Sequence, residues 1–260
     1  MIFGFFKRRR RNKVKARPFP VKWREILERN VPYVSLLNPE QKSEIEGHIQ
    51  ILVDEKTFVG CGGLEMNDEI RVSIAAGAAI LLLNRKTDYY PGLDSILVYP
   101  AAYVGKSLRS IPGGGVMETE ETRLGESWSS GQVVFSWDDA QRGAADMHDG
   151  HNVVLHEFAH QLDSEFDGGS GAPRLQRGSM YVAWARVLGR EYEHLLEDLG
   201  KHHRTIIDAY GATNPAEFFA VVTETFFERP VALQKRHPEL YDQMKSFYLQ
   251  DPVKRYRRDD

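Results

Sequence analysis

Val153-Val154-Leu155-His156-Glu157-Phe158-Ala159-His160 is the stretch on which the reading turns. Residues i and i+4 of a helix share one face, one turn apart. His156 and His160 can therefore close on a single ion, while Glu157 stays free to handle a proton. This HExxH pattern supplies two imidazole ligands and a general base, so the expectation it sets is a zinc peptidase. From about Asn152 to Glu165 there is no proline or glycine, and Val153, Val154, Leu155, Phe158, Ala159 and Leu162 are apolar. That window is expected to be a buried helix, stopped at Gly168-Gly169. The bland alternative is a helix whose histidines only make hydrogen bonds; the apolar flanks favour the metal.

A catalytic zinc needs a third protein ligand and one open position. The chain continues Gln161-Leu162-Asp163-Ser164-Glu165-Phe166, which puts Asp163 and Phe166 where an HExxHxxGxxH site would have glycine and histidine. That class is excluded, and the third ligand must come from elsewhere. Asp163 either holds a ligand histidine or faces solvent. The segment Tyr210 to Phe227 is the best source. Asn214 reads as an N-cap and Pro215 as the first helical residue of an apolar run to about Phe227. Glu217 and Glu224 interrupt that run seven residues apart, on one face. A buried carboxylate is costly unless paired or metal-bound. Glu217, at N3, equally suits a capping box, and Glu224 equally suits an ion pair. Spacing alone selects neither as ligand, and Tyr210 alone reads as an ordinary half-buried tyrosine before Gly211.

HEFAHQLD, followed some fifty residues later by a tyrosine and, after six residues, a glutamate within YGATNPAEFFAVVTETFF, resembles the Mlc titration factor A family of bacterial zinc peptidases. The strand-like Gly131 to Asp139 is similar to that family as well. The resemblance covers most of the chain, from about Trp23 to the C-terminal helix, and its tyrosine-to-glutamate step also looks like that of the anthrax lethal factor catalytic domain, a gluzincin-type protease. It implies His156, His160 and Glu217 as ligands of one Zn2+ per chain, Glu157 as the base and Tyr210 as the phenol that steadies the oxyanion. It further implies a helix-rich α+β zincin-like metalloprotease fold with a small twisted sheet, aminopeptidase-type action on a peptide substrate, and binding to an Mlc-like transcriptional repressor. The alternative is a non-catalytic regulator that sequesters the repressor and keeps a mainly structural zinc. Retention of Glu157 and Tyr210 favours catalysis, since structural zinc is usually closed by four protein ligands.

Composition narrows the setting. The single cysteine, Cys61, forbids an internal disulfide and suits a reducing cytoplasm. Formal net charge is −3; Lys7, Arg8, Arg9, Arg10, Arg11, Lys13, Lys15 and Arg17 contribute +8, which leaves −11 on the rest. An acidic body argues against direct nucleic-acid binding. Residues 1–20 are expected to be a basic flexible tail, and residues 21–260 a single domain. Met1-Ile2-Phe3-Gly4-Phe5-Phe6 precedes the cations, the reverse of a signal peptide, and is too short to cross a bilayer. A solvated tail is preferred over a membrane contact.

Helices are expected at Trp23 to Arg29, from Asn38-Pro39 to about Asp54, from Glu69, capped by Asp68, to about Leu83, at Asp138 to Ala145, Ser179 to Leu199, 214–227 and Pro238 to Leu249. Strands are expected at Ser95 to Val104 and Gly131 to Trp137, with Phe58 to Leu64 strand or loop. Pro112-Gly113-Gly114-Gly115 lacks the lysine and the strand–helix frame of a phosphate loop. His151 is expected to cap the metal helix. His202-His203 read as a solvated turn, and His48, His194 and His237 show no partner pattern.

Overall fold

Short side chains start most of the helices. The computed structural model describes residues 2–256 apart from 102, 112–114, 124, 129–130 and 168. Asn38 begins α3 (Pro39–Glu55) with a reciprocal capping box: its side chain accepts the Gln41 amide, and the Gln41 side chain accepts the Asn38 amide. Asn67, Ser136 and Asn214 likewise cap α4 (Asp68–Ile80), α5 (Trp137–Ala145) and α8 (Pro215–Glu228). Each such cap is worth about 1 kcal/mol. The start of α4 lies one residue earlier than expected, because Asn67, not Asp68, accepts the Ile70 amide.

The other helices are α1 (Ile2–Lys15), α2 (Val21–Asn30), α6 (Val153–Asp167), α7 (Met180–Gly200), α9 (Pro230–Arg236), α10 (Pro238–Tyr248) and α11 (Val253–Tyr256), with 3-10 turns at Pro32–Leu36 and Ala209–Ala212. Strands β1 (Thr57–Gly60), β2 (Ser95–Tyr99), β6 (Gln132–Ser136) and β5 (Gly125–Trp128) form one sheet in that order. The first three run parallel, and β5 joins the edge antiparallel. The run expected as one strand from Ser95 to Val104 is divided: Pro100 interrupts it, and Tyr103 begins β3 (Tyr103–Ile111), which pairs only with β4 (Gly115–Arg123). The architecture is helix-rich α+β with a small sheet. Pro112, Gly113 and Gly114, and the expected helix stop at Gly168, lie outside the described residues.

Two buried helices carry the core. α4 is alanine-rich and buried along nearly its whole length. A Cβ on its Gly77 would lie 2.5 Å from Val154 Cγ1, so glycine there is what lets α4 come up against α6. α8 is buried from Phe218 to Glu228. Phe219, Phe226 and Phe227 meet Trp184, Tyr241, Phe247 and Tyr248 in a continuous set of edge and stacked contacts. Phe158, inside the HExxH segment, is fully buried against Tyr90 and Phe135. Burial of a phenyl ring contributes about 1.5–3 kcal/mol, so the apolar positions of the motif anchor the helix that carries its histidines.

The N-terminal stretch departs from the expected flexible tail. Residues 2–15 are helical and lie along α3. Val14 is buried, Arg11 makes two hydrogen bonds to Glu55 at 2.8 and 2.7 Å, and its guanidinium sits 4.5 Å from the centre of the Tyr89 ring. Charge density kept this segment looking solvated in sequence; the acids that receive it, Asp54, Glu55 and Asp88, are more than thirty residues away. No helix among the described residues is long and apolar enough to cross a membrane.

Candidate metal centre

α6 and α8 face one another, and every candidate ligand lies on one or the other. Asn152 starts α6: its side chain accepts the Leu155 amide and its carbonyl the His156 amide. This is the cap expected of His151, which is instead exposed, with Nε2 3.8 Å from Asp208. One turn on, His156 and His160 point the same way, with ring centres 4.8 Å apart. Asn214 fixes the start of α8 by accepting the Glu217 amide at 3.0 Å. Gly171 supports that start from below. A Cβ on it would lie 2.4 Å from the Pro215 carbonyl, and its φ is +77°. Asp163 is fully buried and accepts the Gly171 amide at 2.7 Å, so it secures the loop under α8 and does not face solvent.

Three atoms converge. His156 Nε2 and His160 Nε2 lie 3.2 Å apart, and Glu217 Oε2 lies 3.0 and 3.2 Å from them. Together they form a group able to hold a metal ion. The donor set passes a simple test of fit. Ligands about 2.0–2.1 Å from a tetrahedral ion stand roughly 3.3 Å apart. Two imidazole lone pairs and a carboxylate oxygen at this separation repel one another unless a cation joins them. Glu224 Oε1 accepts the Nδ1 proton of His156 at 2.7 Å, which leaves Nε2 with its lone pair toward the centre. Glu217 and Glu224 thus share one helix face but serve opposite edges of the same ring.

The electrostatics show the same affinity for a cation. Burial disfavours the His156 cation, yet hydrogen bonds with Glu217 and Glu224 outweigh it and raise the pKa to about 10. For Glu217 burial works against the anion, but the two histidines overcome it and bring the pKa down to about 2. Proton and metal compete for the same lone pairs. Glu157 differs. Burial raises its pKa to about 7, only partly opposed by His156 and His160, and its Oε2 is buried with no hydrogen-bond partner among the described residues. The Tyr210 ring stands over the site on the 3-10 turn, 5.9 Å from the His156 ring and 55 % exposed.

Sequence reasoning missed the ring of bonds behind the ligands. Asn152 donates its amide to Glu224 Oε2 and its side-chain NH2 to Glu228 Oε1 and the Gly143 carbonyl, while Glu228 Oε2 accepts the Gly150 amide. Burial lifts the Glu228 carboxyl to about 9, so it is neutral at ordinary pH. The available signals were an asparagine just before the apolar run and a glutamate four residues after Glu224. Two other histidines also have partners. His48 lies between Tyr89 and Glu44, and His237 pairs with Glu191 at 2.8 Å.

Comparison with known proteins matches this architecture to one family. The family described as glucose-regulated metallo-peptidase M90 matches residues 5–249. An uncharacterized protein of Synechocystis sp. is 43% identical over 239 residues, spanning 91% of this chain and 86% of its own. Mlc titration factor A of Yersinia enterocolitica is 30% identical over 239 residues, spanning 91% of this chain and 88% of its own. Mlc titration factor A of Yersinia pestis is 30% identical over the same length, with 87% of its own chain covered. The chain belongs to the glucose-regulated metallo-peptidase M90 family.

Proposed function

We propose that this protein is a zinc-dependent peptidase of the cytoplasm, of aminopeptidase type, with His156, His160 and Glu217 as the metal ligands, Glu157 as general base and Tyr210 as oxyanion donor. The observation that carries the reading is the approach of two Nε2 atoms and one carboxylate oxygen to within 3.0–3.2 Å of one another, with Glu157 Oε2, on the helix of the two histidines, buried and without a hydrogen-bond partner among the described residues. Such a donor set holds zinc, which supplies Lewis acidity to a carbonyl and lowers the pKa of water.

The chain's own groups do the rest. Glu157 takes a proton from the attacking water and passes it to the leaving amine. Its pKa of about 7 suits both halves of that task. A cation at the three donors favours the carboxylate form, so the acid limb of kcat/KM is expected at or below pH 7. Tyr210 donates its phenol hydrogen to the oxygen that gains charge. Glu224 holds the His156 ring in the tautomer that offers Nε2.

Glu157→Gln tests the assignment. It should retain its metal, measured by elemental analysis, and lose about 10²–10⁴-fold in peptide turnover, together with the acid limb. Wild-type turnover in this variant would reject Glu157 as the base. The name of the Yersinia relatives supports a second reading, that the protein also captures an Mlc-like repressor. The same variant separates the two: repressor capture that survives Glu157→Gln is independent of hydrolysis.

A further inference from the structure

The two sides of α1 have different chemistry. Lys7, Arg10, Arg11 and Val14, at helical spacing, face the body. Lys7 pairs with Asp88 at 2.9 Å, Arg10 with Asp54 at 2.9 Å and Arg11 with Glu55 at 2.7 Å, while Val14 enters the core. On the other side Arg8, Arg9 and Lys13 are exposed and form no ion pair among the described residues. In the first two turns Phe5 and Phe6 are 65 % and 59 % exposed, edge to face with ring centres 5.9 Å apart, Phe6 standing at the border with the Lys7 and Arg10 side. No acid occurs in the helix. The inner face explains why the helix stays docked. It does not explain why two phenyl rings and three unneutralised cations are held together in water.

We infer that the outer face of α1 is a docking surface for an anionic lipid bilayer. Aromatic rings that enter the acyl boundary beside cations that meet headgroup phosphates are the two elements of interfacial helix binding. The helix has 14 residues and lies on the surface; it does not span. The rest of the chain carries a net −11, which disfavours its approach to the same membrane, and the orientation of the helix is fixed by docking through Arg11 and Val14. A nucleic-acid duplex, its base faces already stacked, would use the cations and leave the two rings in water. The inference stands apart from the peptidase reading.

Co-sedimentation of the full chain with vesicles tests it. Binding is expected to phosphatidylglycerol-containing vesicles, to weaken with salt, and to be lost on pure phosphatidylcholine. Each surface cation contributes on the order of a fivefold factor near anionic lipid, less where ions screen it. The triple variant Arg8→Gln, Arg9→Gln, Lys13→Gln should therefore bind roughly a hundredfold more weakly, with peptidase activity and circular dichroism unchanged. Phe5→Ser with Phe6→Ser should also reduce binding. The inference is overturned by absence of binding to anionic vesicles or by a triple variant that binds like wild type. Retained binding in the phenylalanine variant also overturns it, since that outcome describes a polyanion site. A DNA duplex bound as tightly as anionic vesicles would do the same.

Discussion

Two clusters of charge hold this protein together, and they work in opposite ways. Between α6 and α8, Glu217, Glu224, Glu228, His156, His160 and Asn152 are buried or half-buried, where water is scarce. Between α1 and α3, Lys7, Arg10 and Arg17 pair with Asp54 and Asp88 in largely wet positions. In and beside the first set, the two histidines bring Glu217 down to about 2 against the effect of burial, while burial raises Glu157 to about 7 and Glu228 to about 9. Water screens most of the second set, whose exposed pairs contribute about 0–1 kcal/mol each. Charge near charge therefore says little until its exposure is known.

The comparison breaks first, if at all, at the ligands. Glu217→Ala removes one of the three proposed ligands and should weaken zinc binding by more than the roughly 100-fold typical of an outer partner, read by competition with a chelating dye. Glu224→Ala removes only the group behind His156 and should cost about 10–100-fold in metal affinity. Equal affinity in this variant and wild type would mean that the Nδ1 contact orients nothing.

Glu228 sharpens the contrast between a buried charge and a buried neutral acid. Glu228→Ala strands the Asn152 side chain and the Gly150 amide and should cost about 1–3 kcal/mol in denaturant unfolding. Glu228→Gln, which keeps the shape and neutrality, should cost clearly less. A carboxyl with a folded pKa of about 9 keeps its proton where the unfolded chain, with its ordinary value of 4.5, has lost it. Stability should therefore fall as pH rises through that window, and the Gln variant should flatten the slope. Identical slopes would show that this carboxyl is ionised when folded. The smallest effect belongs to the wet cluster: Arg10→Ala should cost less than about 1 kcal/mol, and even less in high salt. A larger loss would mean that the α1 seam is drier than its 65 % exposed Arg10 side chain indicates.

Sequence legibility followed the range of the interaction. The helices at Asn38-Pro39, Asn214-Pro215 and Ser179 onward were readable because caps and 3.6-residue spacing act within a few residues. The ordering of α1 was not, because its partners come from α3 and from the loop at Asp88. For the same reason β5, the β3–β4 pair and α9 escaped notice: none has a strong pattern of its own. At the site, resemblance singled out Glu217 where arithmetic left it level with Glu224.

The sequence by itself determined that two imidazoles and a carboxylate rise from one turn of α6, since the i, i+4 spacing and the apolar flanks are local. It also determined that α8 presents its acids along one face. Only the tertiary structure decided which acid meets which nitrogen. That depends on how α8 is rotated and where it sits along α6, which is set by Gly171 under its start and by the aromatic packing around Phe219 and Phe226. The pKa values follow from that packing, because desolvation belongs to no single residue but to everything that excludes water around it.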